Sequence, residues 1–456
     1  MPDAHIDTLV ILGAGGDLTS RLLLPGLASL LASTRGRPMR VVGVDREARS
    51  DEAWRARVST AFDAYPSELG RKVARETVYL QGDATDPDDL KRVLAAARGR
   101  IALYFALPPT IAAQACRALD GLALPPGLVL ALEKPFGSDA ASAHELNRLL
   151  ERLLPEEQIF RVDHFLGKST VLNLIGMRFA NRIFEPLLSA RNVERVEVVI
   201  EEDLALEGRA GYYDGAGALK DMIQSHLLLV LALAAMEPPS SVDSEDLRGA
   251  MAQALRATRP WKKDGTASRR ARYTAGTIGR RRLSAYTAEP GVTPSRRTET
   301  LAEMTVAVDT WRWAGVPFVL RSGKAIGDPK QNVVFTFREV PHLPTGFAGP
   351  KTEAQLRIGI KPATLELDLV TNGRDDPFEL ECDVLHTEFG PSELSAYGEV
   401  IAELCQGDPT LSVRGDIAEQ CWRIVTPVLD AWRRDRVRLD TYPAGSRGPA
   451  SWKGIP

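Results

Sequence analysis

Ten consecutive residues carry side chains that could do chemistry together. The stretch Arg161–Thr170 reads R-V-D-H-F-L-G-K-S-T and places a carboxylate, an imidazole and two cations close in sequence. In a helical turn His164 and Lys168 would share one face, and two cationic donors there suit a phosphate dianion. Asp163 would point elsewhere and could orient another side chain. A solvated, charged helix start is the competing interpretation.

A strand, a glycine-rich turn and a helix open the chain. His5–Leu12 is apolar, Gly13–Thr19 reads G-A-G-G-D-L-T, and an apolar helix is predicted over Leu22–Leu31. Glycines let the backbone approach a pyrophosphate, and the helix N-terminus adds free N–H groups and a positive dipole end. A plain turn is the alternative, but the order of elements favours dinucleotide binding.

Further strands are predicted before residue 140, and a helix over residues 140–154. The last strand runs into E-K-P-F-G (Glu133–Gly137), which places Lys134 at the mouth of a parallel sheet, where cofactors bind. A lysine at a strand end is otherwise usually exposed to solvent. The strands are predicted at Met39–Val44, Val78–Gln81, Arg100–Leu107 and Leu128–Leu132.

The second half of the chain is predicted to contain half-buried strands, in which polar and apolar residues alternate, and further helices. Val193–Ile200 alternates like a half-buried strand, and Lys220–Leu229 reads as a helix that carries Asp221 and His226. A buried histidine is more often a core residue than a catalytic one. Later alternating segments predict an antiparallel sheet, at Ala302–Val308, Asn332–Phe337, Gln355–Ile360 and Thr364–Leu369.

Composition places the chain among ordinary globular proteins. Its 456 residues suggest two domains, or three, and 44% hydrophobic with 26% charged residues is a typical balance. A net charge of −3 gives no electrostatic reason to expect nucleic-acid or membrane binding. The four cysteines lack metal or disulfide spacing, so we expect no metal and a cytoplasmic setting.

R-V-D-H-F-L-G-K resembles R-I-D-H-Y-L-G-K, the signature of glucose-6-phosphate dehydrogenases. The glycine turn, E-K-P-F-G, K-D-M-I-Q-S-H-L-L and W-A-G-V-P-F-V-L-R-S-G-K (Trp313–Lys324) resemble further family motifs in the same order. The resemblance implies an α/β Rossmann-like NAD(P)-binding domain over residues 1–160. It also implies an α+β domain over residues 161–456, with a large, mainly antiparallel sheet for substrate binding and dimerisation.

The same resemblance implies an activity and its residues. The family oxidises glucose 6-phosphate to 6-phosphogluconolactone with hydride transfer to NADP, the entry step of the pentose phosphate pathway, and acts as a homodimer or tetramer. His226 would be the base, with Asp163 as its partner. The resemblance assigns substrate binding to His164, Lys168, Lys134, Glu202, Asp221 and Lys324, and cofactor binding to Gly13, Gly15, Gly16, Asp17, Leu18, Arg46 and Lys134.

Departures from the family pattern leave alternatives open. Arg46 aligns with the family arginine that pairs with the extra phosphate of NADP, whereas Asp45 would accept hydrogen bonds from free ribose hydroxyls and favour NAD. Phe165 replaces a tyrosine that helps to hold the phosphate. Leu22 replaces a lysine, and Lys361 a glutamine. The alternatives are the same chemistry on another aldose or aldose phosphate, or a catalytically silent regulatory paralogue.

Overall fold

The computed structural model describes residues 5–208, 210–349, 353–390 and 392–454. The chain forms two compact units. The first contains residues 1–172, 239–250 and 391–419, and the second contains residues 173–238, 251–390 and 420–456. The functional division at residue 160 stays a prediction.

A parallel sheet lies at the centre of the first unit. Its strand order is β3-β2-β1-β4-β5-β6, with each neighbouring pair parallel. β1 and β4 are buried along their whole length, as expected for strands covered on both faces. The predicted Rossmann-like fold is confirmed. In the described part of this unit the strands are β1 (Thr8–Leu12), β2 (Arg40–Asp45), β3 (Val78–Gln81), β4 (Ile101–Phe105), β5 (Val129–Glu133) and β6 (Ile159–Val162).

Helices connect these strands and cover the sheet. A π-helical turn, Thr19–Leu23, continues into Leu24–Ala32, and the late helix Ala396–Gln406 packs in the same apolar core. Side-chain caps satisfy the first free amides of several helices, for example Ser50, Asp139 and Ser395. The other helices are Asp51–Phe62, Glu68–Glu76, Pro87–Ala96, Pro109–Leu119, Ala140–Leu153 and the 3₁₀ turn Glu156–Gln158.

The second unit contains a large mixed sheet. Its strand order is β17-β16-β15-β14-β7-β13-β12-β9-β18, and β8 pairs with β12. Most neighbours are antiparallel, as predicted, but β13 runs parallel to β7 and β18 to β9. The described strands of this unit are β7 (Val193–Glu201), β8 (Thr258–Pro260), β9 (Ser268–Thr274), β10 (Gly276–Ile278), β11 (Arg281–Leu283), β12 (Leu301–Val308), β13 (Pro317–Gly323), β14 (Gln331–Phe337), β15 (Gln355–Gly359), β16 (Thr364–Asn372), β17 (Leu380–Glu388) and β18 (Leu439–Pro443).

One helical stretch of the described residues, Ala210–Ala235, is long and apolar enough to cross a membrane by length and composition. The most apolar part of this stretch is 83% buried inside the structure, which is the behaviour of a core helix. It consists of Ala210–Ala218, the π-helix Leu219–Leu227 and Leu228–Ala235. The remaining helices are Ser169–Phe179, Ser244–Ala257, Gly415–Arg433 and the 3₁₀ turns Tyr286–Ala288 and Pro294–Arg296.

Candidate active site

The glycine turn lies between β1 and the π-helical turn at Thr19. Gly13 has a φ of +90°, and a Cβ atom there would lie 2.3 Å from the carbonyl oxygen of Ala106. The amides of Gly13 and Ala14 donate to the carbonyl of Val44 at 2.9 and 3.0 Å. Only glycine fits this backbone, so the turn is anchored to β2 and closely approaches the segment that follows β4.

Asp45 binds backbone amides rather than projecting into solvent. One carboxylate oxygen accepts a hydrogen bond from Gly15 at 2.8 Å, and the other accepts from the amide of Arg46 at 2.8 Å. The carboxylate therefore braces the glycine turn. Arg46 itself is exposed at the end of β2. From its sequence position alone, Asp45 is interpreted as a ligand for ribose hydroxyls. In the structure its carboxylate instead holds the backbone of the glycine turn.

Arg57 also supports the glycine turn, and sequence reasoning missed it. Its guanidinium donates to the carbonyls of Gly15 and Gly16 at 2.7 and 3.1 Å and to the hydroxyl of Ser20. Arg57 lies on the helix Asp51–Phe62, so only the fold brings it to the turn. Its sequence context holds no signal that distinguishes it from a surface arginine.

The end of β5 carries Lys134 and, before it, Glu133. The hydroxyl of Tyr104 donates to Glu133 at 2.5 Å, and the hydroxyl of Tyr397 is hydrogen-bonded to the same carboxyl group. Burial raises the pKa of Glu133 to about 7, although these hydrogen bonds and the charge of Lys134 act in the opposite direction. Lys134 is half-buried.

The signature stretch begins at the end of β6 and continues through tight turns. Arg161 lies on β6 and is fully buried, and it donates to the carboxylate of Glu156 at 2.8 and 3.0 Å. Backbone hydrogen bonds join Leu166 to Asp163 and Lys168 to Phe165, and the helix begins at residue 169. Pairing with β5 includes Arg161 and Val162, and the chain leaves the sheet at Asp163.

Phe165 nevertheless brings the predicted phosphate ligands together. Its ring centre is 5.1 Å from that of His164, and the ammonium of Lys168 lies 3.6 Å above it. Phe165 is buried, so its ring is a fixed support for both side chains. Asp163 is fully buried and accepts a hydrogen bond from the amide of Phe165 at 3.0 Å. The turn is therefore ordered by its own side chains.

The second unit places Asp221 and His226 on the π-helix Leu219–Leu227, with His226 only 1% exposed. A kink at Gly217, with a φ of +70°, precedes this helix. Glu299 accepts a hydrogen bond from the amide of Leu219 at 3.0 Å, and burial raises the pKa of Glu299 to about 7. Sequence reasoning missed Glu299, which holds the start of the helix.

Glu202, Asp221 and Lys324 surround one buried tyrosine in the second unit. Lys324 forms an ion pair with Glu202, and its ammonium lies 5.4 Å from the ring centre of Tyr213. Burial, together with the nearby charge of Asp221, raises the pKa of Tyr213 well above its usual value. Tyr213 lies in the tyrosine-bearing, glycine-rich segment after Glu207, which was the one signal that could have identified it.

Comparison with known proteins identifies the chain. A model of the glucose-6-phosphate dehydrogenase NAD binding domain matches residues 10–173, and a model of the C-terminal domain matches residues 175–455. The chain belongs to the glucose-6-phosphate dehydrogenase family. The glucose-6-phosphate 1-dehydrogenase of Gluconobacter oxydans is 38% identical over 96% of this chain and 94% of the relative. The glucose-6-phosphate 1-dehydrogenase of Treponema pallidum is 36% identical over 97% of this chain and 92% of the relative.

Solved structures agree with this family assignment. Glucose-6-phosphate 1-dehydrogenase from Mycobacterium avium superimposes with a TM-score of 0.86 at 32% identity, over 98% of this chain and 95% of that structure. A glucose-6-phosphate dehydrogenase in complex with its substrate glucose-6-phosphate gives a TM-score of 0.87 at 27% identity, over 98% of this chain and 96% of that structure. This glucose-6-phosphate dehydrogenase family member is therefore an oxidoreductase.

The NAD binding domain of this glucose-6-phosphate dehydrogenase family member contains the braced glycine turn. Gly13, Gly15 and Gly16 lie in the turn, and Asp17 and Leu18 begin the helix, where free amides suit a pyrophosphate. The residues fit a nicotinamide dinucleotide, which is the cofactor that the family domain uses. The predicted site residues fall into two groups: these glycines with Arg46, Lys134, Asp163, His164 and Lys168 in the first unit, and Glu202, Asp221, His226 and Lys324 in the second.

Proposed function

We propose that this chain oxidises glucose 6-phosphate to 6-phosphogluconolactone with hydride transfer to NADP, the entry step of the pentose phosphate pathway. The observation that carries the proposal is the turn in which His164 and Lys168 lie around the buried ring of Phe165. An imidazole and an ammonium held on one support suit a sugar phosphate. Family membership makes glucose 6-phosphate the first substrate to test.

His226 is the proposed general base. It removes the proton of the anomeric hydroxyl while the hydrogen on the anomeric carbon leaves as hydride, and the lactone C=O bond forms. Bound NADP supplies the nicotinamide ring that accepts this hydride. Asp163 is the proposed partner that fixes the His226 tautomer and stabilises the imidazolium. Both His226 and Asp163 are buried, which strengthens such an interaction.

Polar side chains of the second unit are proposed to read the sugar. Glu202 and Asp221 offer carboxylates to its hydroxyls, and Lys324 adds positive charge beside Glu202. A site built from such groups rejects analogues that leave them unpaired. Lys134, at the end of β5, is proposed to contact both sugar and cofactor.

NADP is the proposed cofactor, and the geometry of Asp45 supports it. Both carboxylate oxygens of Asp45 accept hydrogen bonds from backbone amides. Those hydrogen bonds stabilise the negative charge that would otherwise repel a 2′-phosphate. Arg46, exposed at the same strand end, is the proposed ligand for that phosphate. The proposed pyrophosphate cradle consists of Gly13, Gly15, Gly16, Asp17 and Leu18.

The remaining proposals concern the whole protein. Residues 1–160 are proposed to bind the dinucleotide, and residues 161–456 to bind the sugar and to form a homodimer or tetramer. We propose a cytoplasmic enzyme that acts on a small molecule and binds neither nucleic acid nor membrane, in keeping with its net charge of −3.

Initial rates of reduced-nicotinamide formation test this function. Purified protein is assayed with glucose 6-phosphate or glucose, each with NADP or NAD. We expect turnover with glucose 6-phosphate and NADP to dominate. A His226→Asn variant keeps a smaller polar side chain without a basic nitrogen, and it should lose turnover by roughly a thousandfold while it retains sugar-phosphate binding.

Three outcomes would contradict parts of the proposal. Equal rates with glucose and glucose 6-phosphate would rule out the phosphate clamp at His164 and Lys168. Unchanged turnover in His226→Asn would exclude His226 as the base. Folded protein that binds NADP but turns over neither sugar would favour another aldose phosphate or a silent paralogue.

A further inference from the structure

Tyr397 packs directly on His164. It lies at the start of the helix Ala396–Gln406, far downstream in the sequence but within the same compact unit. The two ring centres are 5.6 Å apart, and the planes meet at 15°, which is a stacked arrangement. Tyr397 is 7% exposed, whereas His164 is half-buried. One face of the imidazole is therefore covered by a buried ring.

The hydroxyl of Tyr397 is fixed at its far end. It is hydrogen-bonded to Glu133, whose carboxyl group also accepts the hydroxyl of Tyr104 at 2.5 Å. Burial raises the pKa of both tyrosines, so each remains a protonated donor. Tyr104 is fully buried on β4, and Glu133 ends β5. The ring of Tyr397 is thus anchored to two central strands of the parallel sheet.

The backbone of Tyr397 is held as closely as its hydroxyl. A Cβ atom on Gly26 would lie 2.6 Å from the Cβ of Tyr397, and one on Gly167 would lie 2.4 Å from the carbonyl oxygen of Ala396. Glycine at both positions lets the helix approach the first helix on one side and the signature turn on the other. Gly167, the glycine of the signature, therefore sets the position of the turn against Tyr397.

We infer that Tyr397, anchored by Glu133, is a positioning residue that fixes the ring plane of His164 for binding the substrate phosphate. Imidazole N–H groups lie in the ring plane, so a stacked neighbour that fixes this plane also aims them. The hydroxyl anchor, the two glycine contacts and the stack restrict the same side chain. The inference rests on the proposed function, because it names His164 as a phosphate ligand.

Two substitutions distinguish the contribution of the stacked ring from that of its hydroxyl anchor. Tyr397→Phe keeps the stack and removes the hydroxyl, and Tyr397→Leu removes both. In Tyr397→Phe we expect the KM for glucose 6-phosphate to rise about threefold, the scale of one lost hydrogen bond. In Tyr397→Leu we expect it to rise about tenfold or more, the scale of a lost hydrogen bond to a charged group. kcat and the KM for NADP should stay within about twofold, because the base and the cofactor turn are untouched.

A matched control is Tyr273→Phe in the other unit. Among the described residues, the buried Tyr273 hydroxyl has no hydrogen-bond partner. Its removal should therefore change neither kcat nor the KM for glucose 6-phosphate. If kcat falls in both Tyr397 variants while the KM for glucose 6-phosphate does not rise, Tyr397 acts through general stability and the inference is wrong.

Histidine NMR supplies a test that does not require turnover. The protein has six histidines, and the Hε1 signal of His164 is assigned by its loss in His164→Gln. Stacking on Tyr397 should shift this signal upfield. The shift should persist in Tyr397→Phe and disappear in Tyr397→Leu. Inorganic phosphate should perturb the His164 signal in wild type at concentrations about tenfold lower than in Tyr397→Leu.

The two readouts distinguish the inference from the proposed function. No turnover of glucose 6-phosphate, with a His164 signal that responds to Tyr397→Leu and to phosphate, would overturn the function and keep the positioning role. Normal turnover with an unaltered His164 signal and an unaltered KM in Tyr397→Leu would overturn the positioning role alone.

Discussion

At the residue scale, the chemistry of a side chain depends on what has already used its hydrogen-bonding atoms. Asp45 is the last residue of β2, where an acidic residue usually accepts hydrogen bonds from an adenosine ribose. Here its two oxygens hold the amides of Gly15 and Arg46, so the carboxylate serves the protein backbone. The same position can therefore be compatible with a phosphorylated ribose, provided that a cation lies beside it.

Arg46→Ala tests this interpretation of the cofactor site. We expect the KM for NADP to rise by about tenfold or more, the scale of a lost charge-assisted hydrogen bond, with less than about a twofold change for NAD. Steady-state kinetics with both cofactors measures the effect, and binding of 2′,5′-ADP against 5′-AMP measures it without turnover.

The control for Arg46→Ala is Arg71→Ala, an exposed arginine on the helix Glu68–Glu76. It should change neither cofactor constant, since loss of one surface charge alters only the long-range field. Equal effects of Arg46→Ala on NADP and NAD would show that Arg46 does not read the phosphate.

At the element scale, the winding of one helix decides which side chains share a face. Asp221 and His226 are five residues apart on the π-helix Leu219–Leu227. The π-helix bonds residue i to i+5, so these side chains lie close to one face, whereas an α-helix would place them on different faces. Glu299 holds the first amide of this helix, after the kink at Gly217.

Glu299 should make stability depend on pH. Its pKa rises from 4.5 in the unfolded chain to about 7 in the folded protein, because burial disfavours the charged carboxylate. The folded state then binds more protons than the unfolded state between about pH 4.5 and pH 7. Stability is therefore greatest below this window and falls as pH rises through it, by up to about 3 kcal/mol.

Glu299→Gln removes this titration and keeps an oxygen for the amide of Leu219. Thermal unfolding at pH 5 and pH 8 compares the variant with wild type. We expect the melting temperature of the variant, relative to wild type, to be higher at pH 8 than at pH 5. Glu339→Gln, at an exposed position, is the control and should show no such trend. A constant difference at both pH values would contradict the prediction.

At the scale of the whole molecule, the hairpin of β16 and β17 leaves apolar side chains exposed. β17 ends the large sheet, and its Val384 and Leu385 are 50% and 60% exposed. Phe378, in the connection between the two strands, is 61% exposed. An edge strand with apolar side chains is a template for pairing with another chain. The proposed homodimer supplies a second copy as that partner.

Val384→Lys should weaken self-association. A buried lysine at a pairing edge costs several kcal/mol, enough to shift a micromolar dimer to monomer. Light scattering after size-exclusion chromatography measures the mass of wild type and variant. Trp311→Lys, at a fully exposed position outside the hairpin, should leave the mass unchanged. An unaltered dimer in Val384→Lys would place the interface on another surface.

The sequence by itself determined the elements and their order. Five of the six strands of the parallel sheet, β1 to β5, begin and end within about three residues of their predicted bounds, because buried runs of Val, Ile and Leu between turn residues are local signals. The glycine turn after β1 and the helix that carries Asp221 and His226 are confirmed for the same reason. Their assigned roles stay predictions.

Only the tertiary structure decided which distant residues meet. Arg57 reaches the glycine turn from a separate helix, and Tyr397 stacks on His164 from a late segment of the chain. Hydrophobic periodicity encodes which face of an element is buried, but not the partner that covers it. Those partners are chosen by packing and hydrogen-bond satisfaction across the whole unit, which no local pattern contains.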